Sequence, residues 1–378
     1  MYEFDNTSIL GRKMNMEKKT ICFIAQFPPP MHGLSKAVET LYNSKISEEF
    51  NFEKIDITDN KRIIRTLISI FKSKADLFYF TISQTIGGNL RDLVILKLLS
   101  LLGKNCLIHL HGGYYRQLVD NDMPYWQKKA NYSAMKRLAG AIVLGPSLKY
   151  IFQGMIPDEK IYIVPNCVDD TFLMSDEEFE EKIKSISERG LKHVLYLSNF
   201  IKAKGYPEVL KMAKIEKKRI DAGGDPKLHF DFAGDFFDKQ EKTSFFDYIK
   251  ANQLEDLVTY HGVVYGEKKK ELLRQSDVFM LLTRYPKEGQ PISILEAMGN
   301  GLLVVTTNHA GIPDIVRDDC GIVLDKDSEK LYKEAFESIM RADLYEKSVR
   351  GREFIMKCCS QNKYLDNMSK IFHEITVG

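Results

Sequence analysis

The chain has 378 residues, too many for one ordinary core, so two domains are expected. Hydrophobic content of 44% with 28% charged residues excludes a disordered chain. Lys+Arg 54 against Asp+Glu 52 leaves a formal +2, so no global field argues for nucleic acid. The six cysteines form no C-x-x-C pair or zinc-spaced cluster and sit mostly in apolar runs, which suits a reducing, cytosolic compartment.

Residues 1–18 read as a polar extension without a signal-peptide core, with Met14 or Met16 as an alternative start. "TICFIAQF" (20–27) then reads as a strand and "LSKAVETLYNSKI" as a helix. "FEKIDI", "DLFYFTI", "NCLIHL", "GAIVLG" and "KIYIVP" follow as strands, with helices over "KRIIRTLISIFKSK" (61–74) and "RDLVILKLLSLLG". The acidic stretch "PNCVDDTFLMSDEEFEEKIKSISERG" suits a connection between lobes. The alternation restarts with "HVLYLSN", a helix near "YPEVLKMAKIEKKR", and the strands "LHFDFAG", "LVTYHG", "DVFMLLT" and "GLLVVTT". Helical patterns close the chain from about Ser328 to Thr376. The reading is two doubly wound α/β lobes whose ligands bind beyond the strand ends, in the cleft between them. No run approaches the roughly 20 apolar residues of a membrane span.

Four strand ends carry the chemistry. In "QFPPPMHGLSKAV", Gly33 opens a helix and lets an anion approach backbone N–H groups; the alternative is a stiff turn with a helix cap. In "LIHLHGGYY", His111 ends a buried strand and could donate to a substrate or act as acid or base, with His109 on the same strand face as its competitor. Lys202 and Lys204, in the loop "NFIKAKGYP", are point charges suited to phosphate, unless they are merely solvated. The last is "YPKEGQPISILEAMGNG" (285–301). Pro291 opens a helix whose first N–H groups, at Ile292 and Ser293, have no intrahelical partner and form an anion site with the helix dipole. Glu288 lies upstream, where it reaches a hydroxylated group attached to the phosphate. Glu296 lies past the anion site, where it takes two ribose hydroxyls. Sugar, diphosphate, ribose is the layout of a nucleotide sugar.

At this point the sequence resembles the retaining GT-B glycosyltransferases called group 1 or family 4. "EGQPISILEAMGNGLLVVTTNHAGIPDIV" is similar to that family's signature, supported by "FPPPMHG", "PNCVD" and Lys204–Gly205. The resemblance implies two facing Rossmann-like domains: an acceptor-binding domain over 19–172, a donor-binding domain over 173–361, and a final helix, 362–378, packing back on the first. It also implies that Glu288 contacts the donor sugar, Glu296 the ribose and Lys204 the diphosphate, with His111 near sugar and acceptor. Gly33 would face the β-phosphate side, and Gly289, Gln290, Pro291 and the backbone of Ile292 and Ser293 would complete the phosphate site. Three positions depart from the family: His32 replaces a glycine, Asn199 an arginine and Asp314 a glutamate. Lys202 is the candidate substitute for the lost arginine charge.

The expected reaction moves a sugar, a UDP-sugar by preference, to an acceptor hydroxyl with retained configuration. The resemblance implies no cofactor and no metal, since the nucleotide sugar is a substrate and the leaving phosphate takes the acceptor proton. "DND" (120–122) superficially resembles a metal motif, but a polar loop explains it better. The implied partners are the nucleotide-sugar donor and a glycan or lipid-linked acceptor of bacterial surface polysaccharide or glycolipid synthesis. Lys61, Arg62, Arg65, Lys72 and Lys74 among the apolar residues of 61–74 would suit anionic membrane at the inner face; the alternative is a core-facing helix with a basic outer face. The rival functions are a nucleotide-sugar 2-epimerase of the same architecture and a non-catalytic nucleotide-sugar-binding protein.

Overall fold

The computed structural model describes residues 17–29, 33–186 and 188–377. His32 and most of the N-terminal extension therefore lie outside the described residues. Among the described residues, short runs form twelve strands: β1 (Thr20–Ala25), β2 (Asn51–Asp56), β3 (Leu77–Thr81), β4 (Cys106–His109), β5 (Gly140–Val143) and β6 (Ile161–Ile163) in the first lobe. The second lobe holds β7 (Lys192–Leu197), β8 (Leu228–Ala233), β9 (Val258–Gly262), β10 (Val278–Leu281), β11 (Leu303–Thr307) and β12 (Gly321–Leu324). Each set makes one parallel sheet, in the orders β2-β1-β3-β4-β5-β6 and β12-β11-β10-β7-β8-β9. Strands β3, β4, β5, β10 and β11 are buried at every position because helices cover both sheet faces. The direction of winding reverses between β1 and β3 in one lobe and between β7 and β10 in the other. Those switch points open crevices at the strand ends.

The acidic stretch read as a plain connection contains a helix, Asp176–Ile186. Its run of acidic residues hides an apolar side, Ile183 and Ile186, that is buried in the second lobe. Lys182 is buried with them and donates to the carbonyls of Leu273 (3.1 Å) and Asn300 (2.9 Å), and burial pushes its ammonium down to about 7. Further helices at Tyr125–Met135, Lys239–Ala251 and Gly266–Gln275, and the strand β12, also escaped the sequence pattern.

The final helix, Gln361–Val377, inserts Tyr364, Met368 and Phe372 into the first lobe's core with Phe23, Phe50 and Tyr79. Its outer side is tied there by Tyr162 Oη to Glu374 (2.8 Å) and Ser369 Oγ to Glu49 (2.7 Å). The chain therefore crosses between lobes twice, and the two crossings meet where Val168 N donates to the Cys359 carbonyl at 2.9 Å. Among the described residues, no helix is long and apolar enough to cross a membrane.

Candidate active site

The strand ends of the two sheets face each other across a cleft that holds two adjoining cavities. Gly33, Asn166, Ile292 and Ser293 line both. The first, of about 370 Å³, is bounded by Thr81, Gln84 and His111 from one lobe and Lys204, Glu288 and Gln290 from the other. The second, of about 510 Å³, has apolar walls from Val168, Phe172, Leu197, Val264 and Tyr265, with Asn199, Lys269 and Glu296 among its polar groups.

Lys204 reaches the first cavity because of Gly205. This residue has φ +86°, and a Cβ there would stand 2.3 Å from the Leu282 carbonyl oxygen. Only glycine lets the turn lie that close to the end of β10. Lys204 Nζ then lies 3.3 Å from Glu288 Oε2, which also accepts from Thr283 Oγ1 at 3.3 Å. Lys202 begins the same short turn and points elsewhere: its side chain is exposed, 3.9 Å from Glu241, and it lines neither cavity. As a substitute for the missing arginine charge, Lys202 is therefore misplaced by the twist of the turn. Asn199 lines the second cavity.

The helix Ile292–Gly299 starts just after Pro291, which is its N-cap. The first-turn N–H groups of Ile292 and Ser293 have no intrahelical acceptor. They stand at the junction of the two cavities, with Ile292 Cδ1 3.9 Å from where a Cβ on Gly33 would lie. One turn on, Glu296 is buried and pairs with Lys269 at 2.6 Å, while Lys269 sits 4.1 Å over the Phe172 ring. Burial raises the Glu296 carboxyl above its ordinary value, and the adjacent ammonium opposes that shift.

His111 is part-exposed, but its Nε2 is buried without a hydrogen-bond partner among the described residues. Burial lowers its imidazole to about 4, against a smaller upward effect of Asn166, so it is neutral near pH 7. His109 does not line the cavity. Its ring lies 3.9 Å from that of His111, tilted by 32°, and its Nδ1 is 2.6 Å from the Tyr79 hydroxyl. Among the described residues, Thr81 Oγ1, His111 Nε2 and Gln290 Nε2 are buried and unpaired around this cavity, as is His109 Nε2 behind them. Buried polar atoms are rarely left so. The cluster suits a ligand rich in hydroxyl groups.

Several contacts hold the lobes together around the cleft. A Cβ on Gly113 would meet the Glu288 carbonyl oxygen at 2.6 Å, and one on Gly289 would meet that of His111 at 2.7 Å, so the facing loops pack backbone on backbone. Asn166 Nδ2 donates to the Gln290 carbonyl at 2.9 Å, and its N–H donates to Gln290 Oε1 at 3.2 Å. Asp314 accepts from Ser147 Oγ at 2.7 Å across the lobes. Asp120 of the "DND" loop is taken up by Arg116, by Lys128 at 2.9 Å and by Tyr132 at 2.9 Å. The sequence missed Thr81, Gln84, Asn166 and Lys269. Only Asn166 carried a signal, as part of "PNCVD".

Residues 177–353 match the family model "Glycosyl transferases group 1". The chain is 30% identical over 152 residues to the putative colanic acid biosynthesis glycosyltransferase WcaL of Salmonella typhimurium, covering 36% of each chain. It is 29% identical over 157 residues to the mannosylfructose-phosphate synthase of Agrobacterium fabrum, 40% of this chain and 33% of that one. The amylovoran biosynthesis glycosyltransferase AmsK of Erwinia amylovora is 31% identical over 144 residues, covering 37% and 33%. The matched stretches thus span about a third of these curated relatives. Over nearly the whole fold, the chain is similar to Anabaena HepE in complex with UDP, with a TM-score of 0.70 at 12% identity, covering 94% of this chain and all of that one. The sucrose-phosphate synthase of Thermosynechococcus elongatus gives 0.72 at 13% identity, covering 95% of this chain and all of that one. The chain therefore has the two-domain α/β GT-B fold, and the stretch that matches the group 1 glycosyl transferase model, residues 177–353, lies mostly in its second lobe.

Proposed function

We propose that the protein transfers a glycosyl group from a nucleoside-diphosphate sugar, by preference a UDP-sugar, to an acceptor hydroxyl with retained configuration. The observation that carries this reading is the convergence, in one cavity, of Lys204, Glu288, the free helix N–H groups and the unpaired atoms of Thr81, His111 and Gln290. The nucleoside occupies the apolar cavity, with its ribose on Glu296. The diphosphate crosses at Ile292 and Ser293, and the sugar lies in the polar cavity. Similar structures hold UDP and UDP-glucose, which supports the donor class.

As the bond from the anomeric carbon to the phosphate oxygen breaks, negative charge gathers on the β-phosphate. Lys204 and the N–H groups of Ile292 and Ser293 stabilise it electrostatically. Lys204 leaves Glu288 to do so, and Glu288 turns to a donor-sugar hydroxyl. The acceptor oxygen bonds to the anomeric carbon from the same side, and its proton passes to the departing phosphate. Nucleoside diphosphate and glycoside are the products. Neutral His111 donates a hydrogen bond to the sugar and acceptor side without adding a charge, and no metal or other cofactor is needed. The relatives named for colanic acid and amylovoran synthesis support a growing surface glycan as acceptor.

The test is incubation of the purified protein with UDP-sugars plus EDTA, with and without glycan acceptors, read by NMR of the anomeric proton. An α-configured donor should yield an α-linked product only when acceptor is present. An epimerised nucleotide sugar in the donor-only tube would overturn the transferase reading, and so would a β-linked product for retention.

A further inference from the structure

Three helices lie side by side on one face of the first sheet: Ile63–Lys72, Ile86–Leu101 and Tyr125–Met135. Each buries one side against that sheet, through Ile70, Ile95 and Met135 respectively. The outer side of such helices is ordinarily polar. Here it is not. Ile64, Ile68 and Phe71 recur at helical spacing and are 73%, 50% and 68% exposed. Ile86, Leu90 and Val94 make a second exposed stripe, and Tyr125 and Trp126, 78% and 60% exposed, open the third helix. The stripes adjoin. Gln127 Nε2 donates to the Ile86 carbonyl at 3.2 Å, and Arg91 of the second helix donates to Asn60 Oδ1 at 2.8 Å, just before the first.

The exposed charge on these three helices has one sign, and the nearest carboxylates beyond their ends, Glu53 and Asp122, accept hydrogen bonds from Ser73 and Tyr114. Arg62, Arg65, Lys72, Lys97 and Lys129 are exposed along it. The sole acidic residue on the three helices, Asp92, is buried against Arg91, and Asp59 beside the first helix pairs with Arg62 at 3.4 Å. Apolar stripes inside a basic border complement an anionic surface that is itself apolar beneath. Tyr and Trp at its edge suit the depth of lipid headgroups.

We propose that this three-helix face docks on an anionic lipid bilayer. Ser83 and Gln84 line the polar cavity, and the second apolar stripe begins two residues later at Ile86. Docking therefore brings the mouth of that cavity to the lipid surface, where a lipid-borne acceptor would meet it. That consequence rests on the transferase reading; the docking itself does not.

Trp126 is the chain's single tryptophan, so its emission reports on this face alone. The full chain is mixed with vesicles of phosphatidylglycerol and phosphatidylcholine, and with phosphatidylcholine alone. Anionic vesicles should shift the emission to the blue, and bromine-labelled acyl chains should quench it. The neutral vesicles should do neither. Arg62→Glu with Arg65→Glu should weaken vesicle binding more than tenfold, at about fivefold for each charge removed and more for each reversed. Phe71→Glu should weaken it at least tenfold, while Lys242→Glu in the other lobe leaves it unchanged. Calorimetric UDP binding without lipid should be the same in all these variants, so a failure of docking is distinct from a failure of the donor site. Unshifted Trp126 emission with anionic vesicles would overturn the proposal. So would a lipid-free dimer in sedimentation equilibrium that shields Trp126 and is dissolved by Phe71→Glu, which would assign the face to a second copy.

Discussion

The two cavities of the cleft each contain one lysine–glutamate pair, and the pairs behave differently because their surroundings differ. Lys204 and Glu288, 3.3 Å apart, stand among unpaired polar atoms and between two lobes. Lys269 and Glu296, 2.6 Å apart, are packed against Phe172 in an apolar wall within the second lobe. A loose pair in a polar setting can exchange partners when a diphosphate arrives, whereas a tight pair in an apolar setting is a fixed feature of the wall. On the proposed reading, the polar cavity serves the chemistry and the apolar one holds a nucleoside.

The largest expected effect follows from breaking the loose pair. Glu288→Gln, or Lys204→Ala, should lower kcat by about 100- to 1,000-fold, the usual cost of losing one oriented electrostatic contact in a transition state. Nucleotide affinity should change little in Glu288→Gln and fall in Lys204→Ala, which also loses a cation on the diphosphate, and steady-state kinetics beside calorimetry would separate the two. Unaltered turnover in Glu288→Gln would remove that residue from the chemistry.

Glu296→Ala comes next, with a donor KM raised about tenfold and kcat nearly kept. It also leaves Lys269 partly buried without its partner, which costs roughly 3 kcal/mol of stability on the scale of broken buried pairs. Glu296→Gln should keep more of the fold and still lose donor affinity, so a chemical melt beside the kinetics distinguishes the causes.

A third effect is on pH. His111 is lowered to about 4 in the folded chain by burial, against an ordinary 6.5. The unfolded chain therefore binds protons that the folded imidazole refuses, and stability should fall as pH drops from about 6.5 toward 4. Well above 6.5 both states are neutral and this contribution is flat. His111→Asn should make the melting temperature less sensitive to acid over that window, and equal acid sensitivity in both proteins would contradict it.

The smallest effect concerns closure. Asp314→Ala removes the bond to Ser147 between lobes and should raise donor KM by a factor of about two to five, near the 1 kcal/mol worth of one such bond.

Much of the fold was legible because its strands are short apolar runs between helical patterns, and parallel sheets bury both faces of their strands. The helix Asp176–Ile186 was not, since six of its eleven residues being acidic or polar at the surface obscures the Ile183–Ile186 side. On the site, Gly205 and the 285–301 segment are local features, and local spacing reveals them. Thr81, Gln84, Asn166 and Lys269 are ordinary residues in their own neighbourhoods. They gain meaning only when a strand end from one lobe meets a helix from the other. Lys202 shows the reverse: two residues before Lys204, it is turned to solvent by the same short turn that aims Lys204 inward.

The division of labour between the cavities is tested most directly by calorimetric titration of UDP, in EDTA, into the wild-type chain, Glu288→Gln and Glu296→Ala. The account predicts unchanged affinity in the first variant and roughly tenfold weaker binding in the second. Equal weakening in both, or none in Glu296→Ala, would contradict it.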